Sequence, residues 1–298
     1  MELDEGVVEW LTDGVLQAIA REDALEPAPL IFLLRRYAAT DRSDLADALG
    51  EALGAALARP SPTVNRPGWL TLYSEASFIT DDDRLHTAAT ELHGVLREEW
   101  PSAATVGAST ENLEACLVSA GATSSRDLLA GAIDELERIV GGAYRPGDGV
   151  AHAADGIARR AGRLGDQVRA ASALLTAFAL TGRLPYSMLA EELMQFARRT
   201  LWDESAGGFF ESACEGLASG PKPFAANCEA ARVLCRIEML HRDEEYLKIA
   251  VVAEVGSSVW DAGRTLESQT PGLRARGLGA AVYGTALTEW LHLQRDLK

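Results

Sequence analysis

Along most of this chain apolar residues return every third or fourth position, and alternating runs of Val, Ile and Thr are scarce. That period belongs to amphipathic helices, so the pattern predicts an all-α protein. The clearest case is LLTAFALTGRLPYSMLAEELMQFARRTLWD at 174–203. Leu174, Leu175 and Phe178 mark one helix. Leu189, Leu193, Phe196 and Ala197 mark the next, at i, i+4, i+7 and i+8. Gly182 sits where a left-handed helix end is wanted, and Pro185 where a missing N–H costs little.

The same arrangement recurs in YAATDRSDLADALGEALGAALARP (37–60), FITDDDRLHTAATELHGVLREEWP (78–101), SAGATSSRDLLAGAIDELERIVGGAYRP (119–146) and LHRDEEYLKIAVVAEVGSSVWD (240–261). Each reads as a helix end, a polar turn and an amphipathic helix closing on Trp, Tyr or Pro. Leu45, Leu85, Leu128, Leu189 and Leu247 hold equivalent places, at intervals of 40, 43, 61 and 58 residues. Such periods are those of helical hairpins. A more apolar helix precedes each repeat, at 28–39, 67–79, 110–120, 164–181 and 224–240. A sixth, at 278–294, has no partner after it, and the amphipathic segment at 4–20 has none before it. Pairing these two closes six hairpins into a ring. The expected fold is a single-domain (α/α)6 toroid over 1–298, apolar helices inside and amphipathic ones outside. The competing arrangement, an open solenoid, leaves two apolar ends uncovered.

Composition narrows the function classes. The chain has 298 residues, 47% hydrophobic, enough for a large core. Its net charge of -16 argues against a nucleic-acid partner, because a phosphate backbone is repelled. No apolar run approaches the roughly 20 residues of a membrane span, so no membrane partner is expected. The opening MELDEGVVEW lacks a basic-then-apolar secretion signal, and Cys116, Cys214, Cys228 and Cys235 form no CxxC pair. Reduced thiols in a cytoplasmic protein are the expectation. There is no phosphate-cradling glycine loop, nucleophile-elbow serine or metal-ligand spacing, so no metal or other cofactor is expected.

Residues 105–260 resemble the C-terminal toroid of the YyaL-like, spermatogenesis-associated thioredoxin-fused family. The likeness runs through TENLEACLVSAG (110–121), which keeps Asn112 of a Trp-Asn-Gly helix start, and RLGDQVRAASALL (163–175). It continues through LWDESAGGFFES (201–212), GPKPF (220–224) and AANCEAARVL (225–234). That toroid is itself similar to N-acylglucosamine 2-epimerases and six-hairpin glycosidases, so the resemblance implies the same fold and a sugar as substrate. No thioredoxin-like segment or CxxC is read in these residues, so the redox role of the fused family is not expected. NRPGWLTLYSEASF (65–78) stands where the family has a His-Phe-Glu-Lys-Met segment and keeps only its aromatic character.

In a toroid the inner helices converge, and polar residues at their starts rim a central cavity. Asp166 and Gln167 open the fourth inner helix, with Arg169 a turn later. Asn227 and Glu229 open the fifth. Asp166 and Asn227 are equally suited to capping their helices. Trp69 and Tyr73, at i and i+4, form a face for core packing or for stacking a sugar. Phe209 and Phe210 follow a glycine pair in a connection expected on the cavity rim, beside Asp166 and Asn227. Among the histidines, His152 lies in a loop feeding an inner helix and is the best general base of its type. His86 and His93, two turns apart on a predicted outer helix, make no metal site. Asp155, Asp166 and Glu229 can supply the paired carboxylates of a glycosidase. The expectation is therefore an epimerase- or glycosidase-like enzyme acting on a small sugar. Asp166, Glu229 and His152 are its catalytic candidates; Gln167, Arg169, Asn227, Trp69, Tyr73, Phe209 and Phe210 are the binding candidates. The alternative is a toroid without catalysis that binds a ligand or a protein.

Overall fold

Two kinds of helix alternate along the chain, one buried on most sides and one buried along a stripe. The computed structural model describes residues 2–23, 26–100, 103–153, 163–214, 217–250 and 258–295. The inner helices are α2 (Pro27–Thr40), α4 (Arg66–Thr80), α6 (Val106–Ala122), α8 (Leu164–Thr181), α10 (Phe224–His241) and α13 (Ala281–Arg295). The outer helices are α1 (Glu5–Ala20), α3 (Ser43–Leu57), α5 (Asp83–Glu99), α7 (Arg126–Ala143), α9 (Leu184–Leu201) and α12 (Ser258–Gln269). Successive inner helices pack on one another, and α13 packs on both α2 and α1, so the ring closes. The fold is an (α/α)6 toroid. Two antiparallel hairpins decorate its connections. Strands β1 (Tyr144–Arg145) and β2 (Gly149–Val150) lie between α7 and α8; β3 (Ser212–Cys214) and β4 (Leu217–Ser219) lie between α9 and α10.

Local chemistry explains the helix boundaries. Asp4, Thr105 and Ser125 accept hydrogen bonds from backbone N–H groups of the first turns of α1, α6 and α7. Prolines open α2, α4 and α9, and Gly182 ends α8 at φ 67°. Leu45, Leu85, Leu92 and Leu96 are nearly inaccessible, because their stripes face inward from α3 and α5.

The last repeat departs from its expected place. Leu247 is exposed, on the short helix α11 (Glu244–Ile249), where Tyr246 is the buried residue. The sixth outer helix is instead α12, whose Val259, Ala262 and Leu266 form the buried stripe against α10 and α13. His93 also departs from an outward-facing histidine: it is buried on α5, and burial lowers its pKa. No helix among the described residues is long and apolar enough to cross a membrane.

Closure depends on one small residue. A β-carbon on Gly284 of α13 would lie 2.8 Å from the Phe32 ring of α2 and 2.9 Å from Leu11 of α1. Three helices therefore meet over its bare backbone. Buried Arg36 of α2 adds ion pairs to Glu5 and Glu9 of α1, and Arg295 of α13 reaches Glu5 at 3.0 Å. The Arg295 pair is exposed and contributes little. The Gly284→Val variant should lose about 1–3 kcal/mol, read as a lower urea midpoint, because side chains at the seam have to move apart. An unchanged midpoint would show that the seam accommodates the added carbons.

Candidate functional site

The sequence-derived candidates divide into two groups. One group holds the loops onto the starts of the inner helices. Asp166 is 4% exposed. Its Oδ1 accepts from the Gly107 N–H at 2.9 Å; its Oδ2 accepts from the Arg163 N–H at 3.1 Å and lies 2.8 Å from His152 Nδ1. Gln167 accepts from the Val150 N–H at 2.9 Å and donates to the Val150 carbonyl at 2.7 Å. Asn227 treats Phe209 in the same way, accepting from its N–H at 2.7 Å and donating to its carbonyl at 2.9 Å. Phe209 is buried edge-on against Trp202, and Lys222 lies over the Phe210 ring. These residues bind backbone to backbone across the starts of α6, α8 and α10.

The glycine pair follows from that packing. A β-carbon on Gly207 would meet the Arg264 carbonyl oxygen at 2.7 Å, and one on Gly208 would meet Ser268 Oγ at 2.3 Å. Both glycines also have positive φ. Lys222 Nζ closes the turn on Asp203 Oδ2 at 2.7 Å and holds that carboxyl well below the usual range. Trp69 and Tyr73 pack together with ring centres 5.6 Å apart, in the apolar layer rather than on the cavity wall. Asp155 lies outside the described residues.

The second group faces the axis. The N-terminal halves of the inner helices enclose a cavity of about 270 Å³, walled in part by Gly68, Ala115, Gly165 and Ala225. Its charged lining is Arg35, Glu111, Glu114, Arg169, Glu229 and Arg232. Glu229 and Arg169 were among the candidates; the other four were not. Beneath them runs a chain of contacts at one level of the barrel. Arg35 holds Glu75 through two bonds, at 3.1 and 2.6 Å, and reaches Glu289 at 3.7 Å. Arg232 bonds Glu289 at 3.0 Å and Glu229 at 3.0 Å. Ser172 Oγ lies 2.9 Å from Glu229 and 2.7 Å from Glu114. Thr176 donates to Glu114 at 2.9 Å, and Arg236 donates to Thr176 at 3.0 Å. The chain links α4, α2, α13, α10, α8 and α6 in order around the ring.

Ser172 stands between the two acids. A hydroxyl carries one proton and can donate to one acceptor only. Glu114 and Glu229 both lie within 3 Å of that oxygen, a geometry that favours a proton on one of them, and Arg236 reaches the same oxygen at 3.3 Å. Burial and the neighbouring Glu229 charge raise the Glu114 pKa, against the pull of Arg236. Burial also opposes ionisation of Glu229, but Arg232, Ser172 and Arg236 together outweigh it and leave its pKa lowered. Ser172 lies within donating distance of both carboxyls, and their surroundings drive the two pKa values apart, Glu114 upward and Glu229 downward. Carboxyls separated in this way are candidates for acid and base roles. At the mouth, Arg169 pairs with Glu111 at 3.3 Å, and burial raises the Glu111 pKa. Cys228 also lines the cavity, but burial keeps it a thiol.

A signal for these residues exists in the sequence. Arg35, Glu114, Ser172, Arg232 and Glu289 are each the ninth residue of their helices, and Glu75 is the tenth of its own. A polar side chain recurring at one depth of otherwise apolar helices marks a level where they converge. Glu111-Glu114 and Glu229-Arg232, at i, i+3, put each pair on one helix face.

Two measurements follow. Asn227→Ala leaves the buried N–H and C=O of Phe209 without their partner and should cost about 2–4 kcal/mol in urea unfolding. Because the Glu114 pKa is raised on folding, its stabilising contribution is complete below the roughly 4.3 of an unfolded glutamate and is lost as pH rises through the folded value. Glutamine needs no proton there. The melting temperature of Glu114→Gln relative to the parent should rise with pH above about 4.3 and converge below it. A pH-independent difference would contradict a raised Glu114 pKa.

No protein-family model and no curated protein sequence matches the chain. Solved structures do resemble it. An unsaturated glucuronyl hydrolase specific for heparin superposes with TM-score 0.68 at 13% identity, over 99% of this chain and 100% of that one. A D-mannose isomerase gives TM-score 0.63 at 16% identity, over 90% and 86% of the two chains. A cellobiose 2-epimerase from Bacillus thermoamylovorans B4167 gives 0.62 at 10%, over 80% and 73%. At these identities the likeness is one of fold, and the chain is built as an (α/α)6 toroid of the kind that sugar epimerases and glycosidases share.

Proposed function

We propose that this protein is a sugar-converting enzyme that transfers protons in the central cavity, with Glu229 as base and Glu114 as acid. One observation carries the reading: the two carboxyls share the Ser172 hydroxyl on the cavity wall, in surroundings that raise the pKa of one and lower that of the other. Removal of a proton beside a carbonyl and its return need such a pair. An inverting glycosidase needs its carboxyls roughly 6.5–9.5 Å apart to admit a water, whereas here one hydroxyl bridges them. The fold likeness to a D-mannose isomerase and a cellobiose 2-epimerase, and the motif likeness to YyaL-like toroids, favour a sugar as substrate.

In this reading Asp166, Gln167 and Asn227 hold the mouth in shape, His152 orients with Asp166, and Arg169 meets the ligand. A toroid that binds without catalysis is the second reading. It is favoured by the ion pairs that already satisfy Glu229 and Glu75.

The test is exchange. Incubation with D-mannose, D-glucose or cellobiose in deuterated water should place deuterium at C2, detected by proton NMR. Glu229→Gln should slow this by about 10²–10⁴-fold while keeping the sugar-induced melting shift. Full exchange in that variant would remove Glu229 from the chemistry. A melting shift without exchange in the parent protein would establish the binding-only reading.

A further inference from the structure

The charges around the cavity also bear on which sugars it admits, provided that the site proposed above binds a sugar at all. Four arginines, Arg35, Arg169, Arg232 and Arg236, face five glutamates, Glu75, Glu111, Glu114, Glu229 and Glu289. One glutamate is in excess, so the set offers no spare positive charge to an incoming ligand. A neutral sugar leaves this balance alone. A uronate adds a negative charge beside Glu111 and Glu229, in a protein whose net charge is already -16.

The arginines differ in how firmly they are held. Arg35 grips Glu75 through two bonds and touches Glu289, and Arg232 bridges Glu229 and Glu289. Their side chains are 32% and 21% exposed. Arg169 is 44% exposed and meets one carboxylate, Glu111, at one 3.3 Å contact. Single exposed pairs of this kind are weak. Arg169 is thus the cation best placed to receive the carboxylate of an incoming sugar, and Glu111 is the group that occupies it.

We propose that the cavity selects uncharged sugars, and that Glu111, by pairing with Arg169 at the mouth, is the residue that excludes uronates. The preference follows from electrostatic matching, since a like charge placed opposite a carboxylate is strongly disfavoured and an arginine–carboxylate pair favoured.

The experiment compares matched ligands, D-glucose with D-glucuronate and D-mannose with D-mannuronate, by calorimetric titration at constant ionic strength. In the parent protein the neutral sugar should bind at least about tenfold more tightly than its uronate. In E111Q, where the amide no longer holds Arg169 by charge, that ratio should shift toward the uronate by about tenfold, and E111Q/R169Q should abolish the shift. A parent protein that binds uronates as well as or better than neutral sugars overturns the selectivity while leaving a sugar site standing. An unchanged ratio in a folded E111Q overturns the role of Glu111. Should E111Q fail to fold, R169Q alone decides: uronate affinity falling in step with neutral-sugar affinity supports the pairing, and a selective loss of uronate affinity shows that Arg169 already serves anions. No response to any of the four sugars overturns the sugar-site reading and this inference with it.

Discussion

A single hydroxyl proton governs the centre of this molecule. Ser172 stands between Glu114 and Glu229 and can satisfy only one of them as a donor. That geometry favours a proton on the other, in a cavity whose glutamates outnumber its arginines by one. Buried charges are tolerated when paired and hydrogen-bonded, and costly when they are not. The ion-pair chain through Arg35, Glu289, Arg232 and Glu229 meets that condition and places Glu114 and Glu229 on the wall of the same cavity.

That set can exist only if six helices converge at one depth. Convergence in turn depends on closure, where α13 approaches α2 and α1 over the bare backbone of Gly284. It also depends on the connections at the cavity mouth. Asp166, Gln167 and Asn227 each bind a passing loop to the start of an inner helix through backbone groups. The glycines of LWDESAGGFFES let that connection lie against Arg264 and Ser268 on α12. Framework and cavity lining are thus carried by different residues on the same helices, within one turn of each other: Asp166 and Arg169 on α8, Asn227 and Glu229 on α10.

The fold was legible because each helix carries its own evidence. Gly182 and Pro185 punctuate α8 and α9 where expected, and the leucine stripes of α3 and α5 are buried. The sixth outer helix was less legible: the repeat pattern points to 240–261, whereas the helix that packs against α10 is Ser258–Gln269, most of which lies beyond that segment. The candidate site was legible only at its edge. Polar residues at helix starts stand out in a sequence, and Asp166, Gln167 and Asn227 were found that way. Arg169 and Glu229 reach the cavity because they lie about a turn into their helices. Glu114, Arg232 and Glu289 sit deeper, as the ninth residues of their helices, where a charged residue in an apolar stretch reads as one face of an amphipathic helix; Glu111, level with Arg169 and Glu229, was missed for the same reason.

By itself the sequence determined that the chain is helical, that its helices come in hairpins, where most of them begin and end, and that the last helix needs the first. These are local properties, set by apolar period, capping and glycine or proline placement within a few residues. Only the tertiary structure decided which charges meet. Ser172 lies 58 residues from Glu114 and 57 from Glu229, so their contact depends on ring closure bringing α6, α8 and α10 to one axis. Coulombic and hydrogen-bond energies act over a few ångströms of space. No spacing along the chain records that distance.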